Sequence, residues 1–387
     1  MPNPDTYGIY LHIPYCRSKC RYCDFVSFPC ETEAKKRYVD ALIHEMAIAA
    51  KELPEKQYDT VFIGGGTPST LELGEIMRIM AALHDNFSIA EDAEITIEAN
   101  PGTLDAWKLA EYRECGINRL SMGLQSVNPH ILKALGRIHT PDDFLNSLNM
   151  AKAAGFTNIN ADLMYGLPEQ STEDLLAAIA VAAGAGVTHI SAYSLIVEEN
   201  TPLYFDINGG SVLLPGEDEA FEMYEKSKEM LESLGFHRYE ISNYAKEGYE
   251  SRHNLNYWNN GEYVGLGLNS HSAMHIGGKW LRWANKSEFE EYLADTDDGK
   301  RPLADEPQTI ERAEEMFECV MLGLRKTAGI TNGEFEARFG ESLFTTFSKA
   351  IAQLDENGLL IKTADGIRLN DRGLDIENLA LMPFMED

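Results

Sequence analysis

The sequence predicts an α/β protein: an open, partial (β/α)6 barrel followed by a winged-helix-like α+β domain. Three observations carry this. Strand-like and helix-like segments alternate six times between Tyr7 and Gly235, and the right-handed crossover rule turns such alternation into a parallel sheet. Six units fall short of the eight that close a full barrel. From Asp305 the order changes to three helices and two short strands. The expected division is 1–200 for the partial barrel, 201–300 for an extension completing its core, and 305–387 for the C-terminal domain.

Taken in order, Tyr7–Ile13 reads as the first strand and Thr32 to about Leu53 as a helix with charges on one face. Strand Asp59–Ile63 runs into Gly64-Gly65-Gly66-Thr67-Pro68, and helix Leu71–His84 follows. The pattern repeats as strand Glu94–Glu98, helix Leu104–Cys115, strand Asn118–Met122, helix Pro141–Ala154, strand Asn158–Leu163, helix Thr172–Ala185 and strand His189–Ser194. Helix Pro215–Gly235 and an aromatic, polar stretch through Trp283 come next. Asp297–Pro302 is turn-rich and reads as a linker. The tail predicts helices over Gln308–Leu324, Asn332–Phe339 and Leu343–Asn357, then strands Leu359–Lys362 and Gly366–Leu369 with Asp365-Gly366 at the turn. This tail carries eight basic residues against seventeen acidic ones, so its winged-helix order points to a lid or partner surface and not to DNA.

With 387 residues, 44% of them apolar, the chain can bury a large core. A formal charge of −29 argues against nucleic acid as a partner. Met1–Thr6 lacks the basic and apolar regions of a secretory signal. The Ala/Gly-rich run Leu175–Val187 is too short to span a bilayer. A cytoplasmic protein is expected, and in that compartment a cysteine cluster reads as metal binding, not disulfides.

That cluster is Cys16-x3-Cys20-x2-Cys23, on the loop leaving the carboxyl end of the first strand. Ligand loops sit at that end in α/β sheets and barrels. Three thiolates on a 4Fe–4S cluster leave one iron with an open position. A structural zinc loop completed by His12 or a distant residue, and three ordinary buried cysteines, are the alternatives. Cys30, Cys115 and Cys319 are scattered and read as structural or incidental.

The cysteine loop, with aromatic Tyr22 before the third cysteine, resembles the radical SAM (S-adenosylmethionine) superfamily. The resemblance implies that the open iron chelates the methionyl amine and carboxylate of SAM, and that an electron from the cluster cleaves the sulfonium to a 5′-deoxyadenosyl radical. It also implies that Gly65, Gly66 and Thr67 meet the methionyl amine. Taken alone, the glycine run reads as a tight turn, because no Gly-x-Gly-x-x-Gly or Gly-Lys-Ser/Thr follows. Glu98, Gln125, Arg137 and Asp162 recur at or beyond later strand ends. Singly each reads as a solvated loop residue, but their joint placement points three of them, Glu98, Gln125 and Asp162, at one barrel mouth. Their motifs resemble the oxygen-independent coproporphyrinogen III oxidase branch, where the matching positions bind SAM, as does the tyrosine six residues before the first cysteine, here Tyr10.

Within that branch, a decarboxylating oxidase carries a fourth cysteine where this chain has Phe25, and a long segment ahead of the loop; this chain starts about fifteen residues before Cys16. His253-Asn254-Leu255-Asn256-Tyr257-Trp258 instead resembles the His-Asn-x-x-Tyr-Trp motif of the HemW-type haem chaperones. The resemblance implies haem binding and delivery to acceptor haemoproteins, membrane-associated respiratory ones among them. A homodimer is left open. A lone His among aromatics is ordinarily a packing residue; the functional reading makes His253 an axial haem ligand with Tyr257 and Trp258 against the porphyrin, and His271 and His275 the nearest alternatives. Where the family often has a third glycine, Gly265-Leu266-Gly267-Leu268-Asn269 carries Asn269. The rival reading is an enzyme that decarboxylates coproporphyrinogen III to protoporphyrinogen IX.

Overall fold

A computed structural model describes residues 6–29 and 31–385; Cys30 and the residues before Thr6 lie outside them. In chain order the strands among the described residues are β1 (Tyr7–Ile13), β2 (Gln57–Gly65), β3 (Ser88–Ala99), β4 (Arg119–Gln125), β5 (Asn158–Tyr165), β6 (His189–Ser194), β7 (His237–Arg238), β8 (Asn243–Ala245), β9 (Glu262–Leu266), β10 (His271–Ile276), β11 (Lys279–Ala284), β12 (Gln308–Thr309), β13 (Ile330–Thr331), β14 (Leu360–Lys362) and β15 (Gly366–Leu369). β1 to β6 are parallel and lie side by side in sequence order. This is the predicted partial barrel.

Alternation explains its two faces. Ile9, Leu11 and Ile13 of β1, with Val61 and Ile63 of β2, are fully buried under the surrounding helices. Each such side chain contributes about 1.5–3 kcal/mol. The intervening positions are polar (Thr60, Glu98, Ser121, Asn160, Asp162, His189) and hydrogen-bond across the inner face, as Ser121 does to Asp162 and Asn160 to His189. Capping boxes at Thr140 with Asp143 and at Ser171 with Asp174 start the helices Pro141–Ala153 and Thr172–Gly184; loss of one such cap costs about 1 kcal/mol.

The sheet continues where the sequence showed only an aromatic, polar stretch. β9 adds in parallel to β1, and β10, β11 and β12 follow antiparallel; β8 and β7 extend the far edge beside β6. Two predicted helices change accordingly. The helix expected from Gln308 begins at Arg312, because Gln308 and Thr309 pair with β11. The helix expected over Leu343–Asn357 is broken at Phe347, whose ring is buried against Phe335 and Phe384. The turn-rich 297–302 stretch packs back on the sheet: Lys286 N–H donates to Pro302 O at 2.8 Å, and the Arg301 guanidinium lies 4.9 Å from the Trp283 ring centre.

Past Thr309 the chain builds a small unit with its own core, the antiparallel sheet β13-β15-β14 covered by helices Arg312–Leu324, Asn332–Phe339 and Ser348–Glu356. This is the expected winged-helix-like order.

Candidate cofactor site

The cysteine loop leaves β1 and is held by backbone bonds on both flanks. Cys16 N–H donates to Phe28 O (3.2 Å), Arg21 N–H to Leu135 O (3.0 Å), and Leu203 N–H to Arg21 O (2.9 Å). The Arg21 guanidinium also pairs with Asp206. Cys16, Cys20 and Cys23 are free and half-buried. Burial pushes the Cys23 thiol up, against the opposing pull of the Phe25 backbone. Among the described residues no three His, Cys, Asp or Glu side chains are gathered tightly enough to hold a metal ion as they stand. The donor set still fits a three-thiolate cluster: three free thiols on one short loop, with Phe25, 64% exposed, where a fourth would stand. His12, the candidate fourth donor for zinc, has both ring nitrogens engaged, with Tyr10 OH (3.0 Å) and Val26 O (2.9 Å).

The glycine turn docks directly on that loop. Gly66 N–H donates to Ile13 O (2.8 Å) and Thr67 N–H to Tyr15 O (2.7 Å). A Cβ on Gly66 would stand 2.7 Å from Tyr15 O, so backbone of the cysteine loop, not a ligand, already requires glycine there. Gly65 takes φ +110°, and its N–H donates to Glu98 Oε2 at 3.1 Å. Thr67 Oγ1 lies 3.6 Å from Cys16 Sγ and accepts from Asn100 Nδ2 at 2.8 Å.

Arg137 closes the arrangement. Its Nη1 donates to Cys20 Sγ (3.3 Å), and its Nη2 to Asn100 Oδ1 (2.8 Å) and Gly123 O (2.6 Å), leaving the buried Nε–H without an acceptor. Asn100, to which the sequence reading gave no role, therefore ties the glycine turn to Arg137; its only signal was a place two residues beyond Glu98. Gln125 sits at a register shift between β4 and β5 with φ +63°, and its Oε1 is buried without a partner. Such bulges re-aim a side chain, and the strained backbone costs about 1–3 kcal/mol. Glu98 is pushed up to about 8, first by burial and then by the charge of Asp162. Asp162 is raised by burial too, against hydrogen bonds from Asn160 (2.7 Å) and Ser121 (3.3 Å). Arg119, 2% exposed on the inner face, lowers both carboxyls. Tyr10 stacks on Phe62 and Tyr22 packs against the Ile131–Leu167 cluster, so both stand beside the site.

The structure does not bring His253 to this mouth, which corrects the expectation of an accessible imidazole. It lies at the opposite end of the sheet, 1% exposed, among Gly8, Thr60 and Glu94. Its Nδ1 meets Thr60 Oγ1 at 2.8 Å, its Nε2 meets Tyr257 OH at 2.9 Å, and its ring stacks on Phe62. Desolvation pushes it down to about 3, so it is neutral at working pH. His275, between Glu262 and Glu315, is raised to about 9 by these partners and stays an imidazolium. His271 is exposed at the start of β10, at the cysteine end. Asn269 adopts φ +55°, so the glycine-rich turn survives its substitution. That turn is fixed by buried Glu45, which accepts from Gly267 N–H (2.7 Å), Asn285 Nδ2 (2.6 Å) and Tyr292 OH (2.7 Å).

Residues 10–182 match the Radical SAM superfamily and residues 310–376 the HemN C-terminal domain. The heme chaperone HemW of Bacillus subtilis is 36% identical over 97% of this chain and 98% of its own. That of Escherichia coli is 33% identical over 98% of each. Among solved structures, the coproporphyrinogen III oxidase HemN of Escherichia coli, a radical SAM enzyme, superposes with a TM-score of 0.84 over 99% of this chain and 91% of that one. At 23% identity this likeness shows the fold alone. A cysteine loop at the carboxyl end of β1, a partial barrel behind it and relatives matched almost from end to end agree: the chain belongs to the HemW family of the radical SAM superfamily.

Proposed function

We propose that this protein is a haem chaperone, binding haem and delivering it to acceptor haemoproteins from the cytoplasm, with a 4Fe–4S cluster and SAM at the mouth of the partial barrel. The observation that carries the reading is the near end-to-end similarity to proteins named as heme chaperones. Phe25 adds to it, since a phenyl ring neither ligates iron nor transfers a proton. Among the described residues no helix is long and apolar enough to cross a membrane, so membrane-bound respiratory acceptors would be met at their surface.

Cys16, Cys20 and Cys23 would hold the cluster, and Arg137, donating to Cys20 Sγ, would offset its negative charge. Bound together, cluster and SAM supply one-electron reductive chemistry. The remaining groups position the ligand. Glu98 and Asp162 offer carboxylates to an ammonium or to hydroxyls, the orphan Gln125 Oε1 offers an acceptor, and the orphan Arg137 Nε–H a donor. Gly65, Gly66, Thr67 and Asn100 hold the turn that brings Glu98 and the cysteine loop together, while Tyr10 and Tyr22 wall the sides. For haem iron, His271 is an exposed imidazole at this end; His253 would first have to leave Thr60 and Tyr257.

The test is anaerobic reconstitution followed by incubation with coproporphyrinogen III, SAM and a reductant, in parallel with haem titration and transfer to an apo-haemoprotein. The expected result is haem uptake and transfer without protoporphyrinogen IX. Sustained decarboxylation without haem transfer would make the protein a coproporphyrinogen III oxidase instead.

A further inference from the structure

Away from the cysteine mouth, a cavity of about 270 Å³ opens where the helix Arg252–Trp258 and β9 face the C-terminal unit; Trp258, Asn260, Glu262, Lys326, Glu334 and Arg338 are in its wall. Its polar groups are out of balance. Lys326 is only 7% exposed, yet its ammonium donates to the neutral Asn259 Oδ1 and has no ion pair among the described residues. Glu334, whose charge favours the ammonium, is committed to the Thr331 cap, accepting the Thr331 N–H at 2.9 Å and hydroxyl at 2.8 Å. Glu262 is shared between Lys56 and His275. Arg338 uses Nε on Glu315 and Nη1 on Asn260 O, which leaves its Nη2 without an acceptor. Trp258 Nε1–H and Asn260 Nδ2 are also buried without acceptors.

Buried cations are ordinarily paired, and a buried donor left unmet is costly. Three unmet N–H donors on residues that wall one cavity, and an ammonium in contact with a neutral acceptor only, therefore call for an acceptor that the chain does not supply. A compact anion rich in oxygen would meet these needs. We propose that this cavity binds a small oxyanion, a phosphate or a short dicarboxylate, that bridges the base of the large sheet and the C-terminal unit. The site is separate from the cofactor mouth and stands whether or not the chaperone reading does.

Isothermal titration of the full-length protein with potassium phosphate and with succinate, each against potassium chloride at matched ionic strength, tests it. One-to-one saturable binding of at least one probe is expected, with a matching rise in melting temperature as ligand binds only the folded state. Phosphate alone assigns a phosphoryl group, and succinate alone a dicarboxylate. Lys326→Met should weaken binding about tenfold or more, as loss of a charge-assisted hydrogen bond does. Ala337→Phe, which fills the same cavity without changing a charge, should do the same, and it decides the matter if Lys326→Met does not fold. Absence of saturable binding to either probe, or unchanged affinity in a folded variant, overturns the proposal.

Discussion

Glu98→Gln isolates the most perturbed carboxyl of the site. In the folded protein Glu98 holds its proton up to about pH 8, against 4.5 ordinarily, because burial and then Asp162 disfavour its charge. The gap of about 3.5 pH units, at about 1.4 kcal/mol each, sets a ceiling of about 5 kcal/mol, and partial solvent exposure brings this to roughly half. Folding takes up a proton here, so the contribution is complete below pH 4.5 and is lost as pH rises through about 8. Glutamine keeps an acceptor for the Gly65 N–H and cannot ionise. Urea unfolding of the metal-free protein at pH 5, 6.5 and 8 should show the wild type losing about 2–3 kcal/mol relative to Glu98→Gln across that range. Parallel stability curves would refute the reasoning. If the SAM ammonium then seats beside Glu98, its uptake below pH 8 releases a proton, visible by calorimetry in buffers of different ionisation heat.

Cys16→Ala, Cys20→Ala and Cys23→Ala should each abolish the about four irons and four sulfides of an anaerobically reconstituted cluster, whereas Cys115→Ala and Cys319→Ala should leave iron content unchanged; a full cluster in Cys20→Ala would sink the assignment. Gly66→Ala, which drives a Cβ to 2.7 Å from Tyr15 O, should cost about 2–3 kcal/mol of stability by denaturant titration, and wild-type stability would contradict the close docking of turn on loop. His253→Ala removes bonds to Thr60 and Tyr257 and stacking on Phe62, so about 3 kcal/mol of stability should be lost with haem absorbance unchanged in the folded fraction. A shifted Soret band there would restore His253 as the iron ligand.

The parallel core was readable because its strands alternate apolar with polar residues and are separated by helices, some with their own start signal, such as Thr140-Pro141 or Ser171. The edge strands were not. β7 and β12 are two residues long, and β9 owes its place to pairing with β1, about 250 positions earlier; neither leaves a periodic trace. In the site, the motifs named the residue types, but not the end of the barrel at which each stands. His253 is a clear motif residue, yet only the contacts of its ring with Thr60 and Phe62 show that it plugs the base. Arg119 escaped notice since a basic residue opening a strand gives no hint that it will be buried facing two carboxyls.

The lacing of the cysteine loop bears on when the loop is made. Arg21 takes its place through Leu135 on one flank and through Leu203 and Asp206 on the other. A chain emerging from the ribosome in order presents its three cysteines almost at once, but the segments that shape their loop appear more than a hundred residues later. Until residue 206 has cleared the exit tunnel the Arg21 flank of the loop lacks its partners, although Phe28 and the glycine turn are already in hand. A cluster donor that required the finished loop would act after translation of the barrel, and a truncation ending before Pro202 should take up iron poorly even though every cysteine of the loop is present.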